Sequence, residues 1–389
     1  MAKVMRIGRL GISLQDTYKQ ASDLVTMFKD GMGGFLFDGF SDLTQLYTTG
    51  AASNGSNASS DGQTIGFAFE TSQWSNKTLD QIRALAPQLL PDTGFDDGAA
   101  WTLTQATVSG SVLTINSPTG SYAAGIDTVT GLTVNAFYEL QATIDANTRG
   151  NGTLGFSGSF TAVTGTIVGL NTGYVPAIVT NPSWELKRNQ TVDTLFTASS
   201  GSLKRIIGNH FNQGTAANRP AWRAGAKPYL QLDGTNDCLL NPGWKPGQAC
   251  TVGIAFRHNA AVSGTAFGAG QASGNRRLRL SLSASGRPEL AYNDQFLAPV
   301  VTNRQGQDVV LIVTYDASGY AFYIDGVLVA SAALAPNMDG TGGSTCLGAL
   351  DGGSSNFIQG NIYGAIALDK RVTEDQVLQI TNQLRNRIP

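Results

Sequence analysis

Two short stretches carry side chains that together suit a sugar. AYNDQF at 291–296 sets Tyr292, Asn293 and Asp294 side by side at the expected end of a strand. An aromatic ring beside an amide and a carboxylate offers an apolar face to a pyranose and hydrogen-bond partners to its hydroxyls. NPGWKPG at 241–247 places Trp244 in a Pro/Gly loop, where its ring is expected to be exposed. These four residues are the candidate carbohydrate contacts. Trp101 and Trp184 are expected instead to plug sandwich cores.

Other chemistries find few residues to carry them. RPAWRAGAKPYLQLDGTNDCLL at 219–240 holds no nucleophile–base pair and no phosphate loop. The two histidines, His210 and His258, lack HxxxH spacing and suit turns or strand ends. The three cysteines, Cys238, Cys250 and Cys346, are odd in number and fit no metal or redox spacing. Buried thiols are the expectation. No catalytic residue is assigned.

The chain has 389 residues, room for two or three domains. A net charge of −2 gives no broad basic field for nucleic acid or an anionic membrane. No apolar run reaches the length of a membrane span, and the first residues lack the apolar core of a signal peptide. Synthesis in a cytoplasm is the expectation. The 47 glycines, with many Ser and Thr and only 14% charged residues, favour short strands joined by tight turns.

The spacing of apolar residues divides the chain. Over 13–29, Leu14, Tyr18, Ala21, Val25 and Phe28 share a helix face after Ser13. This helix either packs on its own domain or docks the protein into an assembly. Over 76–90, Leu79, Ile82, Leu85 and Leu89 predict a second helix, ended or kinked at Pro87. From 91 the sequence alternates with a period near two, broken about every eight to twelve residues by turn residues, as in an antiparallel sandwich. A second β-rich run covers 203–389. In it YAFYIDGVLVASA forms a hairpin about Asp325-Gly326. Only the end is helical, with Thr373 and Gln376 as a capping box.

The ordered set YLQLDGTNDCLL, TVGIAFRH, QDVVLIVTYDASGYAFYIDGVLVASA and CLGALDGGSSNFIQGNIYGAIALDKRVTEDQVLQI resembles a laminin G-like, concanavalin A-type jelly roll. That family's opening F-D-G-x-x-D pattern is matched by Leu232, Asp233, Gly234, Thr235, Asn236 and Asp237, with Leu replacing Phe. Its hairpin is matched by Asp316, Gly319, Tyr323, Asp325 and Gly326. Its closing segment is matched by Phe357, Gly360, Ile362, Ala367, Val372 and the final helix. Upstream, SLKRIIGNHFNQGTAANRPAWR resembles the lead-in of such domains in bacteriophage structural proteins, through Gly208, Asn209, His210, Gln213, Thr215, Arg219 and Pro220. FDGFSDLTQLYTTGAAS and SSDGQTIGFAFETSQ resemble another piece of those proteins. TGFDDGAAWTLTQATVSGSVLTI resembles the opening of carbohydrate-binding-module-like domains, here lying inside a region that is continuous elsewhere.

The resemblance implies a mainly β chain of antiparallel sandwiches. A virion-docking segment spans 1–90, a carbohydrate-binding-module-like sandwich 91–190, and a laminin G-like jelly roll 191–389 with a short C-terminal helix. It implies a phage virion protein, a tail fibre or tail-tip component that binds host-surface glycan or neighbouring virion proteins. The alternative is a head decoration or head-fibre protein that only packs. A homo-oligomer is expected, with no nucleic acid partner and no membrane insertion. Many laminin G-like domains hold calcium at the sandwich rim, which makes Asp294, Asp339 and Asp351 candidate ligands. The same aspartates also suit turns. The class includes glucanases with paired acidic residues. The E-x-D-x-E run they need is absent, and Glu289 and Glu374 are the only glutamates of the last domain. A binding protein rather than an enzyme is the expectation.

Overall fold

A computed structural model describes residues 27–28, 33–37, 39–40, 46–47, 57–69, 79–117, 124–150, 152–156, 160–164, 166–177, 179–188, 193–271, 276–292, 295–297, 302–338 and 344–389. Of the expected 13–29 helix only Met27 and Phe28 fall among these. Asn293, Asp294 and Asp339 lie outside them.

Two antiparallel sandwiches account for the described chain, in agreement with the expected fold class. The larger is a jelly roll of an eight-stranded and a nine-stranded sheet. In the first, Tyr229–Asp233 lies between Ala221–Arg223 and Gln359–Leu368. Cys250–His258, Asp308–Asp316, Gly319–Ile324 and Val327–Ala332 follow in order. The period-two alternation decides which side chains meet. Leu230, Leu232, Val252, Ile254, Phe256 and Leu311 point inward to Phe267, Leu278, Leu280 and Leu290 of the other sheet. Each such buried side chain contributes about 1.5–3 kcal/mol. Asp325 (φ +53°) and Gly326 (φ +85°) make the hairpin turn that the sequence predicts.

The outer face of the eight-stranded sheet carries an apolar patch. There the C-terminal helix Glu374–Arg385 sets Val377, Ile380 and Leu384 against Val310, Ile312 and Ile366. Its capping box, Thr373 with Gln376, is formed.

The smaller sandwich pairs two five-stranded sheets, which run from Thr102–Thr104 to Thr194–Arg205. Trp101 and Trp184 fill its core with their rings 5.4 Å apart, as expected of them.

The strand pairing differs from the expected boundaries at 90 and 190. The smaller sandwich continues to Arg205. Gly34–Phe37 pairs with Gln359–Leu368, while Leu46–Tyr47 and Phe67–Ala68 join the nine-stranded sheet beside Phe211–Asn212. Strands of two to four residues cannot satisfy their backbone alone, so they complete the sheets of the larger unit. The smaller sandwich is thus an insertion between two parts of the jelly roll.

The junction is an aromatic cluster. Phe67, Phe69, Phe137, Tyr174, Ile206 and Ile82 pack together. The His210 ring lies 5.0 Å from Phe69 and 5.6 Å from Phe137. Burial drives its imidazole down to about 3, against a hydrogen bond to the Ile206 backbone that raises it. The expected 76–90 helix is described over Leu79–Leu85 and ends before Pro87. Ile82 is buried, but Leu85 is 66% exposed rather than on the packed side. Arg83 docks the helix on the smaller sandwich. It pairs with Glu139, which also accepts the Tyr174 hydroxyl at 2.6 Å. Burial alone would lower the Arg83 guanidinium, but Tyr174 and Glu139 raise it overall.

Candidate functional site

The residues chosen from sequence as sugar contacts are not gathered on an exposed face. Trp244 is 4% exposed. It donates its indole N–H to Asp369 at 2.7 Å and packs edge-on to Phe35 at 5.3 Å. The expectation of an exposed ring fails because the N-terminal strand, far away in sequence, covers the loop. Tyr292 is fully buried against Tyr315 and Tyr320, with its hydroxyl donating to Leu334 at 3.2 Å. Burial pushes its phenol up. Of the expected calcium ligands, Asp351 begins a short 3₁₀ turn, Asp351–Gly353, and its side chain lies outside the described set. Among the described residues no group of three or more His, Cys, Asp or Glu is placed to hold a metal. The three cysteines are buried and form no disulfide.

An open cleft of about 550 Å³ lies elsewhere, at the rim of the eight-stranded sheet. Its polar lining is Arg223, Gln231, Asp233, Asp237, Asn259 and Gln359. Alternation places them there. In Tyr229–Asp233 the leucines at 230 and 232 enter the core, so Tyr229, Gln231 and Asp233 face outward. Gln359 pairs with Asp233 across the next strand, and Arg223 pairs with Tyr229 on the other side.

The turn after this strand shapes the cleft floor. Gly234 adopts φ +81°, and a Cβ there would lie 2.6 Å from the Gln359 side chain. Glycine is required on both counts. Asp233 Oδ1 accepts the N–H groups of Thr235 and Asn236 at 2.7 and 3.3 Å. Asp237 is 7% exposed and accepts the Asp233 N–H at 3.0 Å. Burial lifts its carboxyl to about 6; the Asp233 N–H opposes this and the Asp233 charge adds to it.

Arg223 closes one side. Its Nε donates to Gln231 at 2.6 Å and its Nη1 lies 3.2 Å from Asp61, whose other oxygen accepts the Ala224 N–H. Beside it on the outer face, half-buried Tyr229 packs edge-on to Tyr363 at 5.7 Å. Tyr363 donates to Asp308, which takes both arms of Arg257 at 2.8 and 2.6 Å. The cleft therefore combines amides, carboxylates and a guanidinium, groups that hydrogen-bond polyhydroxylated ligands, and the Tyr229 ring lies outside its lining.

Sequence reasoning passed over these residues. Asp233 and Asp237 stand in the segment that resembles the family's opening pattern, which assigns them no ligand. Gln231, Asn259 and Gln359 carry no local signal, because polar residues on the outward face of a strand are the ordinary solvated pattern.

No curated protein sequence matches the chain. Among solved structures, the Ruminococcus gnavus IT-sialidase CBM40 bound to alpha2,3 sialyllactose aligns at 16% identity, over 35% of this chain and 84% of that one, with a TM-score of 0.30. Domain 4 of AbnA, a GH43 extracellular arabinanase from Geobacillus stearothermophilus in complex with arabinotriose, aligns at 19% identity, over 44% and 82%, with a TM-score of 0.35. A heptameric SAP-like pentraxin from Limulus polyphemus aligns at 17% identity, over 35% and 70%, with a TM-score of 0.26. The family model of the concanavalin A-like lectin/glucanases superfamily matches residues 226–378, so this segment is a concanavalin A-like domain of the laminin G type.

Proposed function

We propose that the chain binds glycan in the rim cleft of its jelly roll. The observation that carries this reading is the convergence of Arg223, Gln231, Asp233, Asp237, Asn259 and Gln359 on one open cleft. Membership of residues 226–378 in a superfamily of lectins and glucanases supports it. Binding without turnover is the form we favour. The two carboxylates of the cleft come from one turn, in which Asp237 accepts the backbone N–H of Asp233, whereas glycoside hydrolysis needs carboxylates that flank the scissile bond. An array of immobilised glycans probed with the full chain tests the proposal. Specific signals that Gln359→Ala abolishes support it, and an array without specific signals sinks it.

The finer reading sets this binding on a phage particle, at a tail fibre or tail tip. Its support is the sequence resemblance of the 202–223 lead-in and of the N-terminal pieces. Labelling intact virions with an antibody to residues 203–389 tests it. Label at the tail favours attachment to a host surface, label over the head favours decoration, and absence of label removes the virion setting.

A further inference from the structure

Resting on the glycan reading, we propose that the cleft selects sugars with a free amino group, of the glucosamine type, over their N-acetylated and uronic acid counterparts. The charge balance of the lining points there. Among the described residues Arg223 is its one cation, and it is already opposed by Asp61 at 3.2 Å. Arg257, next along the sheet, is held by Asp308. Among the described residues no cation pairs with Asp233 or Asp237, so the lining is acidic on balance.

Both carboxylates keep an oxygen for a ligand. Asp233 uses Oδ1 for Thr235 and Asn236, and Asp237 uses Oδ2 for Asp233. Among the described residues no donor meets Asp233 Oδ2 or Asp237 Oδ1. An ammonium has three donors and no acceptor, which suits two acceptor-only oxygens from one turn. Desolvation that raises the Asp237 carboxyl marks an anion in want of a cation. The amides of Gln231, Asn259 and Gln359 remain for hydroxyls. An N-acetyl group replaces the ammonium with a neutral, bulkier amide, and a uronate brings a third carboxylate beside the two present. Calcium is a poorer fit, because two carboxylates fall well short of its six to eight oxygens.

Calorimetric titration of the full chain with three tetrasaccharides decides the matter: tetraglucosamine, tetra-N-acetylchitotetraose and tetragalacturonate, each at low and moderate salt. Tetraglucosamine is expected to bind at least tenfold more tightly than the acetylated form, about 1.4 kcal/mol, with the gap narrowing as salt rises. Asp233→Asn and Asp237→Asn each keep the acceptor that holds the turn and are expected to shrink the gap to within about twofold. Arg223→Gln is expected to widen it. Urea transitions verify folding, and the more exposed Asp233→Asn alone suffices if Asp237→Asn does not fold. Equal or tighter binding of the acetylated or uronic ligand overturns the inference while leaving the glycan reading intact. So does a preference that survives Asp233→Asn, or calcium that binds the wild type and displaces tetraglucosamine. Absence of binding by all three overturns the inference, and an empty glycan array besides overturns the reading beneath it.

Discussion

The Asp237 carboxylate accepts the backbone N–H of Asp233 at 3.0 Å, and so one five-residue turn brings two acids to the same cleft. The same contact holds the Asp237 side chain in a largely dry position.

Asp237 should therefore make stability fall as pH rises. Its carboxyl moves from 3.8 to about 6 on folding, so the folded chain binds more protons between these values. The contribution is fully present below pH 3.8 and is lost through pH 6, at up to about 1.4 kcal/mol per pH unit. Urea midpoints measured from pH 4 to 7 check this. Asp237→Asn should lack the component.

His210 works in the opposite sense. Its imidazole moves from 6.5 to about 3 on folding, so the unfolded chain binds the extra proton. Stability is full above pH 6.5 and falls as pH drops toward 3. His210→Gln retains a donor for Ile206 and should flatten this slope. Near pH 5 the two effects oppose each other, so Asp237→Asn should steepen the rise with pH and His210→Gln should reverse it.

Arg83 and Glu139 fasten the Leu79–Leu85 helix to the inserted sandwich. Glu139 is 2% exposed in its side chain. Arg83→Met leaves that carboxylate uncompensated and should cost about 3 kcal/mol in chemical denaturation. Adding Glu139→Gln should restore most of the loss. Equal stability of Arg83→Met and wild type would show that the pair holds nothing.

The N-terminal strand tests the discontinuous jelly roll. Gly34 has φ +134°, and a Cβ there would meet the Ala367 carbonyl oxygen at 2.1 Å. Gly34→Ala should destabilise the chain by roughly 2 kcal/mol and remove amide protection from 34–37 and from those amides of 365–368 that face this strand rather than Cys250–His258. Unchanged protection would mean that the strand does not pair there.

What sequence could reveal follows from the range of the forces. The Asp325-Gly326 hairpin and the Thr373–Gln376 cap are set by neighbours within a few residues, and both are read correctly. Trp244 is misjudged because a Pro/Gly loop looks exposed locally, whereas Phe35 and Asp369 bury its ring from 209 residues upstream and 125 downstream. The cleft is harder still. Arg223, Asp233 and Gln359 meet only because strands Ala221–Arg223, Tyr229–Asp233 and Gln359–Leu368 are neighbours, and their pairing leaves no trace in local spacing.

Hydrogen exchange of the full chain with and without the tightest glycan from the array tests the central claim most directly. Binding in the cleft predicts added protection in 229–237 and 359–361, with none in the inserted sandwich at 102–205. Protection confined to the inserted sandwich, or none at the cleft strands under saturating glycan, would contradict it.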